Sequence, residues 1–153
     1  MTMLNQVPVV QAEMLIRKPV KEVFEAFTDP AITTKFWFTK SSGRLEAGKH
    51  VRWDWEMYGV WDNVYVEEIQ PNKLIRIKSS DNTIVEWTFT PRTDNQTFVT
   101  ITNTGFAGNG DEIVKQAIDA MGGYTIVLCG LKALLEHNVV LDLVSDKAPD
   151  AHM

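Results

Sequence analysis

Apolar and polar positions along the chain fall into two kinds of period. The first stretch, Val9 to Ile16, alternates: Val10, Ala12, Met14 and Ile16 share one side, and Gln11, Glu13 and Leu15 the other. Period two is the mark of a strand with one covered face. The pattern then turns helical. Val20, Val23, Phe24 and Phe27 sit at i, i+3, i+4 and i+7, with Pro19 at the first helical position. Asp29-Pro30 reads as the N-cap and N1 of a second short helix, which carries Ile32 and Phe36 and ends near Trp37 and Phe38.

After a loop through Ser41, Ser42 and Gly43, strand patterns follow in close order. His50 to Tyr58 places Val51, Trp53, Trp55 and Met57 opposite Arg52, Asp54 and Glu56, and Gly59 breaks it as a hairpin turn. Val60 to Ile69 is the partner strand, but both of its parities carry large apolar groups, so no face can be assigned. Pro71-Asn72, Asp81-Asn82 and Thr93-Asp94-Asn95 are turn signals. Between them lie Leu74 to Lys78, then Ile84 to Pro91 with Val85, Trp87 and Phe89 on one face, and finally Thr97 to Thr104. A glycine-rich loop, Gly105 to Gly110, leads to a long helix capped by Asn109 or Asp111. Its apolar face is Val114, Ala117, Met121, Tyr124, Leu128, Leu131 and Leu135. Ending near Asn138, it spans roughly 40 Å. Val139 to Val144 is apolar enough to pack, and residues 145–153 read as a frayed tail.

This order predicts one α+β domain over residues 1–153, with its core at about 9–144. A curved antiparallel sheet of consecutive hairpins is covered by the long helix, the one element long enough to cross it.

The residues Lys18-Pro19-Val20-Lys21-Glu22-Val23-Phe24-Glu25-Ala26-Phe27-Thr28-Asp29-Pro30 resemble the opening of START-like (SRPBCC) domains, and more narrowly the branch related to activators of the heat-shock-protein-90 ATPase. Gly48 with Val51, Trp53 and Trp55 fits that branch, as do Trp87 and Phe89, Asn103-Thr104-Gly105-Phe106, and Gly122-Gly123-Tyr124 with Leu128, Leu131, Lys132 and Leu135. The resemblance implies a helix-grip fold with a pocket between sheet and helix. It also implies either an apolar ligand (sterol, lipid, polyketide or hormone) or, as in the chaperone activators, a protein partner. Some relatives are cyclases or aromatases.

Composition narrows the function. With 153 residues and 44% hydrophobic content, one core is expected. Fifteen basic against twenty acidic residues give −5, with no basic run, which disfavours gripping a phosphate backbone and so nucleic acid. The single Cys129 forms no internal disulfide and reads as a small core hydrophobe. No signal sequence and no uninterrupted apolar run of about 20 residues is present, so a cytoplasmic protein without a membrane span is expected. His50, His137 and His152 lie far apart, without metal-ligand spacing; neither a metal nor a cofactor is implied.

The candidate cavity lining is Trp53, Trp55, Trp87, Phe89, Met121, Tyr124 and Leu128, residues that would equally serve a filled core. Gly122-Gly123 costs the helix about 1 kcal/mol per glycine, so the pair marks either close approach of helix to sheet or a widened mouth. Arg52, Asp54, Glu56 and Glu86 belong by parity to a solvated outer face, whereas Asp62 or Asn63 could point inward. Three functions fit: a carrier or sensor of a small apolar molecule, a module that contacts a chaperone, and a cyclase- or hydrolase-type enzyme using Tyr124, Asp62 or Asn103. A monomer and a homodimer are equally compatible with the sequence.

Overall fold

The computed structural model describes residues 4–152. Seven strands form one antiparallel sheet, ordered β1-β7-β6-β5-β4-β3-β2. They are β1 (Val10–Ile16), β2 (Lys40–Ser41), β3 (His50–Trp55), β4 (Val60–Gln70), β5 (Leu74–Lys78), β6 (Ile84–Thr93) and β7 (Gln96–Thr104). Helices α1 (Val20–Thr28) and α2 (Pro30–Thr33) follow β1, and α3 (Gly110–His137) follows β7. This is the α+β order that the periodicity predicts and the helix-grip arrangement that the resemblance implies.

Strand parity decides which face is covered. Val51 and Trp53, Ile75 and Ile77, Val85, Trp87 and Phe89, and Thr97, Val99, Ile101 and Asn103 are all buried on one side of the sheet. The ambiguity of β4 has a local cause. Val64 and Val66 point inward, but the register shifts between Val66 and Glu68, after which Ile69 pairs with the buried Ile75. A bulge inserts one residue and moves the inward set to the other parity, so one strand carries two apolar phases.

Two groups of side chains fill the concave side. Phe24 and Phe27 come from α1, Phe36 and Phe38 from the turn after α2, and Val127, Leu128, Leu131 and Leu134 from the second half of α3. Gly130 is the point of closest approach: a Cβ there would lie 3.3 Å from the Phe36 Cβ and 3.4 Å from the Phe36 carbonyl oxygen. The end of α3 is tied to the end of β1. The Glu136 carboxylate accepts from the Arg17 backbone N–H (2.9 Å) and from Lys132 Nζ (2.7 Å), which also donates to the Leu15 carbonyl (2.8 Å).

Several sequence expectations need adjustment. Pro19 is the N-cap of α1 rather than its first residue. Helix α2 stops at Thr33, and Phe36 and Trp37 hang from turn hydrogen bonds to its last carbonyl. Strand β3 ends at Trp55 because residues 56–58 wind into a 3-10 turn closed by Gly59 at φ 62°, a left-handed position that suits glycine. The loop at Ser41 contributes β2, a two-residue edge strand paired with β3.

Residues 146–152 are not a loose tail, and Met153 lies outside the described residues. Helix α4 (Leu143–Asp146) and a 3-10 turn (Pro149–Ala151) lie against the domain: the Tyr58 hydroxyl donates to the Val144 and Ser145 carbonyls, and His152 Nε2 lies 2.7 Å from the Ser145 oxygen. Finally, α3 is long and apolar enough to cross a membrane by length and composition alone. Its second half supplies the core, so here it is a core helix.

Candidate functional site

The apolar stripe of α3 does not meet the sheet along its whole length. Val127, Leu128, Leu131 and Leu134 are buried, but Val114, Ile118 and Met121 in the first half are exposed, Ile118 by 67%. The first half of α3 thus adds no buried side chain to the core. Beside Asp119, Ala120, Gly123 and Tyr124 of α3 lies a cleft of about 890 Å³.

Its apolar wall is Trp37, Trp53, Trp55, Tyr124 and Val127. Trp37 is the hub. Its ring centroid lies 4.9 Å from Trp53, 5.9 Å from Trp87, 6.0 Å from Tyr124 and 6.3 Å from Trp55. Phe38 stacks on Trp53 at 4.8 Å with an interplanar angle of 13°, fixing that indole from behind. Tilted and edge-on pairs of this kind contribute about 0.5–1.5 kcal/mol each beyond their burial, so the aromatic wall is rigid.

The opposite end is polar, because the first residues of β4, the β5–β6 turn and the end of β7 meet there. Asp62, Ser80, Asp81, Thr83 and Asn103 line it. Asp62 Oδ1 accepts from the Ser80 backbone N–H and hydroxyl, and Asp81 Oδ1 accepts from the Thr83 backbone N–H and hydroxyl. Both carboxylates thus shape the turn through one oxygen. Asn103 is 4% exposed and donates through Nδ2 to the Ile84 carbonyl at 2.9 Å. Burial pushes the Tyr124 phenol well above the usual tyrosine range, and the charges of Asp62 and Asp81 push it further in the same direction. It therefore stays protonated at neutral pH.

Of the residues expected to line the cavity, Trp53, Trp55 and Tyr124 do so. Trp87, Phe89 and Leu128 are instead core residues, with Phe27 of α1 against both Trp87 and Phe89. The Trp87 indole N–H has no hydrogen-bond partner among the described residues. Met121 lies on the exposed side of α3, 43% accessible, because the helix has rotated Ala120, Gly123 and Tyr124 toward the cleft. The ambiguity at β4 resolves to Asp62 inward and Asn63 exposed. Tyr124, Asp62 and Asn103 share one cleft, but none is hydrogen-bonded to another among the described residues, so no proton-relay pair is preformed.

The paired glycines divide their roles. A Cβ on Gly123 would meet nothing within 4 Å, and Gly123 lines the cleft. A Cβ on Gly122 would touch the Lys147 side chain at 3.6 Å. Close approach to the core belongs to Gly130, and of the pair only Gly123 leaves open space beside the cleft. Sequence reasoning also missed Trp37, whose place in a turn hides it from any period, and the covering segment Val144, Lys147 and Ala148.

Residues 17–136 match the family of Activator of Hsp90 ATPase homolog 1-like proteins. The chain belongs to this family. Among solved structures, the family domain seen here is similar to protein SSP2350 from Staphylococcus saprophyticus, with 31% identity and a TM-score of 0.77 over 88% of this chain and 96% of that one. Protein MLL2253 from Mesorhizobium loti is 19% identical, with a TM-score of 0.74 over 86% and 99% of the two chains. The Aha1 dimer from Colwellia psychrerythraea is also 19% identical, with a TM-score of 0.73 over 85% and 97%. These last two likenesses establish the fold. No curated protein matches the sequence.

Proposed function

We propose that this domain binds a small, mostly apolar molecule in the cleft between the aromatic strands and the first half of α3. One observation carries the reading: a volume of about 890 Å³ walled by Trp37, Trp53, Trp55 and Tyr124. That size lies within the usual range for small-molecule sites, about 300–1,000 Å³, and an apolar wall with few polar groups is the usual make-up. Gly123 supports it, since a helix under selection only for stability would favour alanine where a side chain meets nothing. The chain's role would be that of a carrier or sensor. Native mass spectrometry of protein purified from cells without detergent, followed by a thermal-shift screen of lipids, polyketides and aromatics, tests it. A co-purifying mass or a saturable shift supports the reading; neither over a broad library contradicts it.

A second reading has its own observation. Val114, Ile118 and Met121 form an exposed apolar stripe on α3, at i, i+4 and i+7. Membership of the chaperone-activator family makes a protein partner the natural occupant. Stimulation of a heat-shock-protein-90 ATPase by this protein, lost on Ile118→Glu, supports that role; an unchanged rate at saturating protein rules it out.

A further inference from the structure

The polar end of the cleft is chemically one-sided. Asp62 and Asp81 each use Oδ1 for the turn, and neither Oδ2 has a hydrogen-bond or ion-pair partner among the described residues. Asn103, though 4% exposed, spends only its amide nitrogen on the protein; its Oδ1 has no partner among the described residues. Asn103 lines the cleft and this oxygen is not fully enclosed, which leaves an acceptor available to a ligand there. The Tyr124 oxygen makes no hydrogen bond among the described residues either, and Asp119 adds a third carboxylate to the lining. Every one of these groups can accept, and three of them are carboxylates. The lining holds a single cationic side chain, Lys147, which lies across Gly122 on the covering segment.

Acceptors around an aromatic wall define a ligand. Indole faces attract a positive charge through the ring quadrupole, and carboxylates do so through Coulomb attraction. An anionic head group at this end would meet the like charges of Asp62 and Asp81. A bare metal ion does not fit, since no three His, Cys, Asp or Glu side chains are grouped to hold one among the described residues. Resting on the small-molecule reading above, we propose that the cleft takes a flat apolar molecule carrying one ammonium group, its body against Trp37, Trp53 and Trp55 and its charged head between Asp62, Asp81 and the Asn103 amide oxygen.

Isothermal titration with three probes of one shape tests this: 1-naphthylmethylamine, 1-naphthylmethanol and 1-naphthoic acid. The amine should bind about fivefold to tenfold more tightly than the alcohol, and the acid most weakly. In Asp62→Asn/Asp81→Asn, which keeps an acceptor oxygen for each turn, the amine should fall to the level of the alcohol, whose own affinity reports that the cleft is intact. Added salt at about 0.5 M should narrow the amine's advantage. If all three bind equally, or the acid binds best, the head-group assignment is overturned while the small-molecule reading stands. Should an apolar library and all three probes fail to bind, both are overturned.

Discussion

The Tyr58 hydroxyl, at the end of the 3-10 turn after β3, donates to the carbonyl of Val144, 86 residues later, and bifurcates to Ser145. That contact brings the C-terminal segment over the cleft, where Val144, Lys147 and Ala148 complete its lining. The His152 ring packs edge-on against Tyr58 at 5.3 Å and adds a second anchor. Removing the hydroxyl in Tyr58→Phe should cost about 1 kcal/mol of stability. The loss should be local: faster amide exchange and proteolysis at residues 143–152, with the sheet unaffected. Exchange that rises evenly through the domain would show that the segment is not a separable cover.

The glycines of α3 provide a paired test. A Cβ at Gly123 meets nothing within 4 Å and the rest of a leucine would extend into the cleft, so Gly123→Leu should fold at least as stably as wild type, gaining up to about 1 kcal/mol from helix propensity. Leucine at Gly130 must displace Phe36, whose Cβ and carbonyl oxygen already lie at 3.3 and 3.4 Å. Overpacking of this kind costs about 1–3 kcal/mol, and Gly130→Leu should lose at least that. Chemical denaturation of the two variants checks the contrast.

Glu136 anchors α3 to β1. Burial opposes its charge, but the Arg17 backbone N–H and the Lys132 ammonium outweigh that and hold its carboxyl below the usual range. A lowered folded-state value means that the stabilisation is present above the unfolded value and is lost as pH falls through the folded one. Glu136→Gln should therefore destabilise the domain by about 1–2 kcal/mol at neutral pH, and the gap to wild type should close below about pH 4. A gap that persists unchanged into acid would mean that the side chain acts through shape alone.

Tyr124 has the opposite sign. Its raised folded-state value makes the neutral phenol stabilising at every pH below the unfolded value, with the contribution lost as pH rises through and beyond about 10. An alkaline titration of phenolate absorbance should show one tyrosine ionising later than the rest, and Tyr124→Phe should remove that late component and blunt the alkaline loss of stability.

Sheet, helix order and inward faces were legible because strand alternation and helix phase are local signals. Trp53, Trp55, Trp87 and Phe89 share a face as their parity requires, yet parity does not tell a wall from a core. Trp87 and Phe89 lie under Phe24 and Phe27 of α1, whereas Trp53 and Trp55, packed by Trp37 and Phe38, also border the cleft beside the first half of α3. That difference depends on how much of the sheet the helices and the turn after α2 cover, which no sequence window contains. Met121 shows the same limit: the stripe through it is regular, but contact begins only at Tyr124. Trp37 carried one faint signal, its place between Phe36 and Phe38 in a run of three aromatics. The covering segment was illegible because its anchor, Tyr58, is 86 residues away.

The account's central claim is that the cleft under α3 is a ligand site, and its five tryptophans report on it directly. The indole N–H signals of nitrogen-15-labelled protein should be followed during titration with the best compound from the thermal-shift screen. Saturable shifts of Trp37, Trp53 and Trp55, a stationary Trp87, and loss of the response in folded Gly123→Leu are expected. No response across the library, or one that survives intact in Gly123→Leu, would contradict the claim.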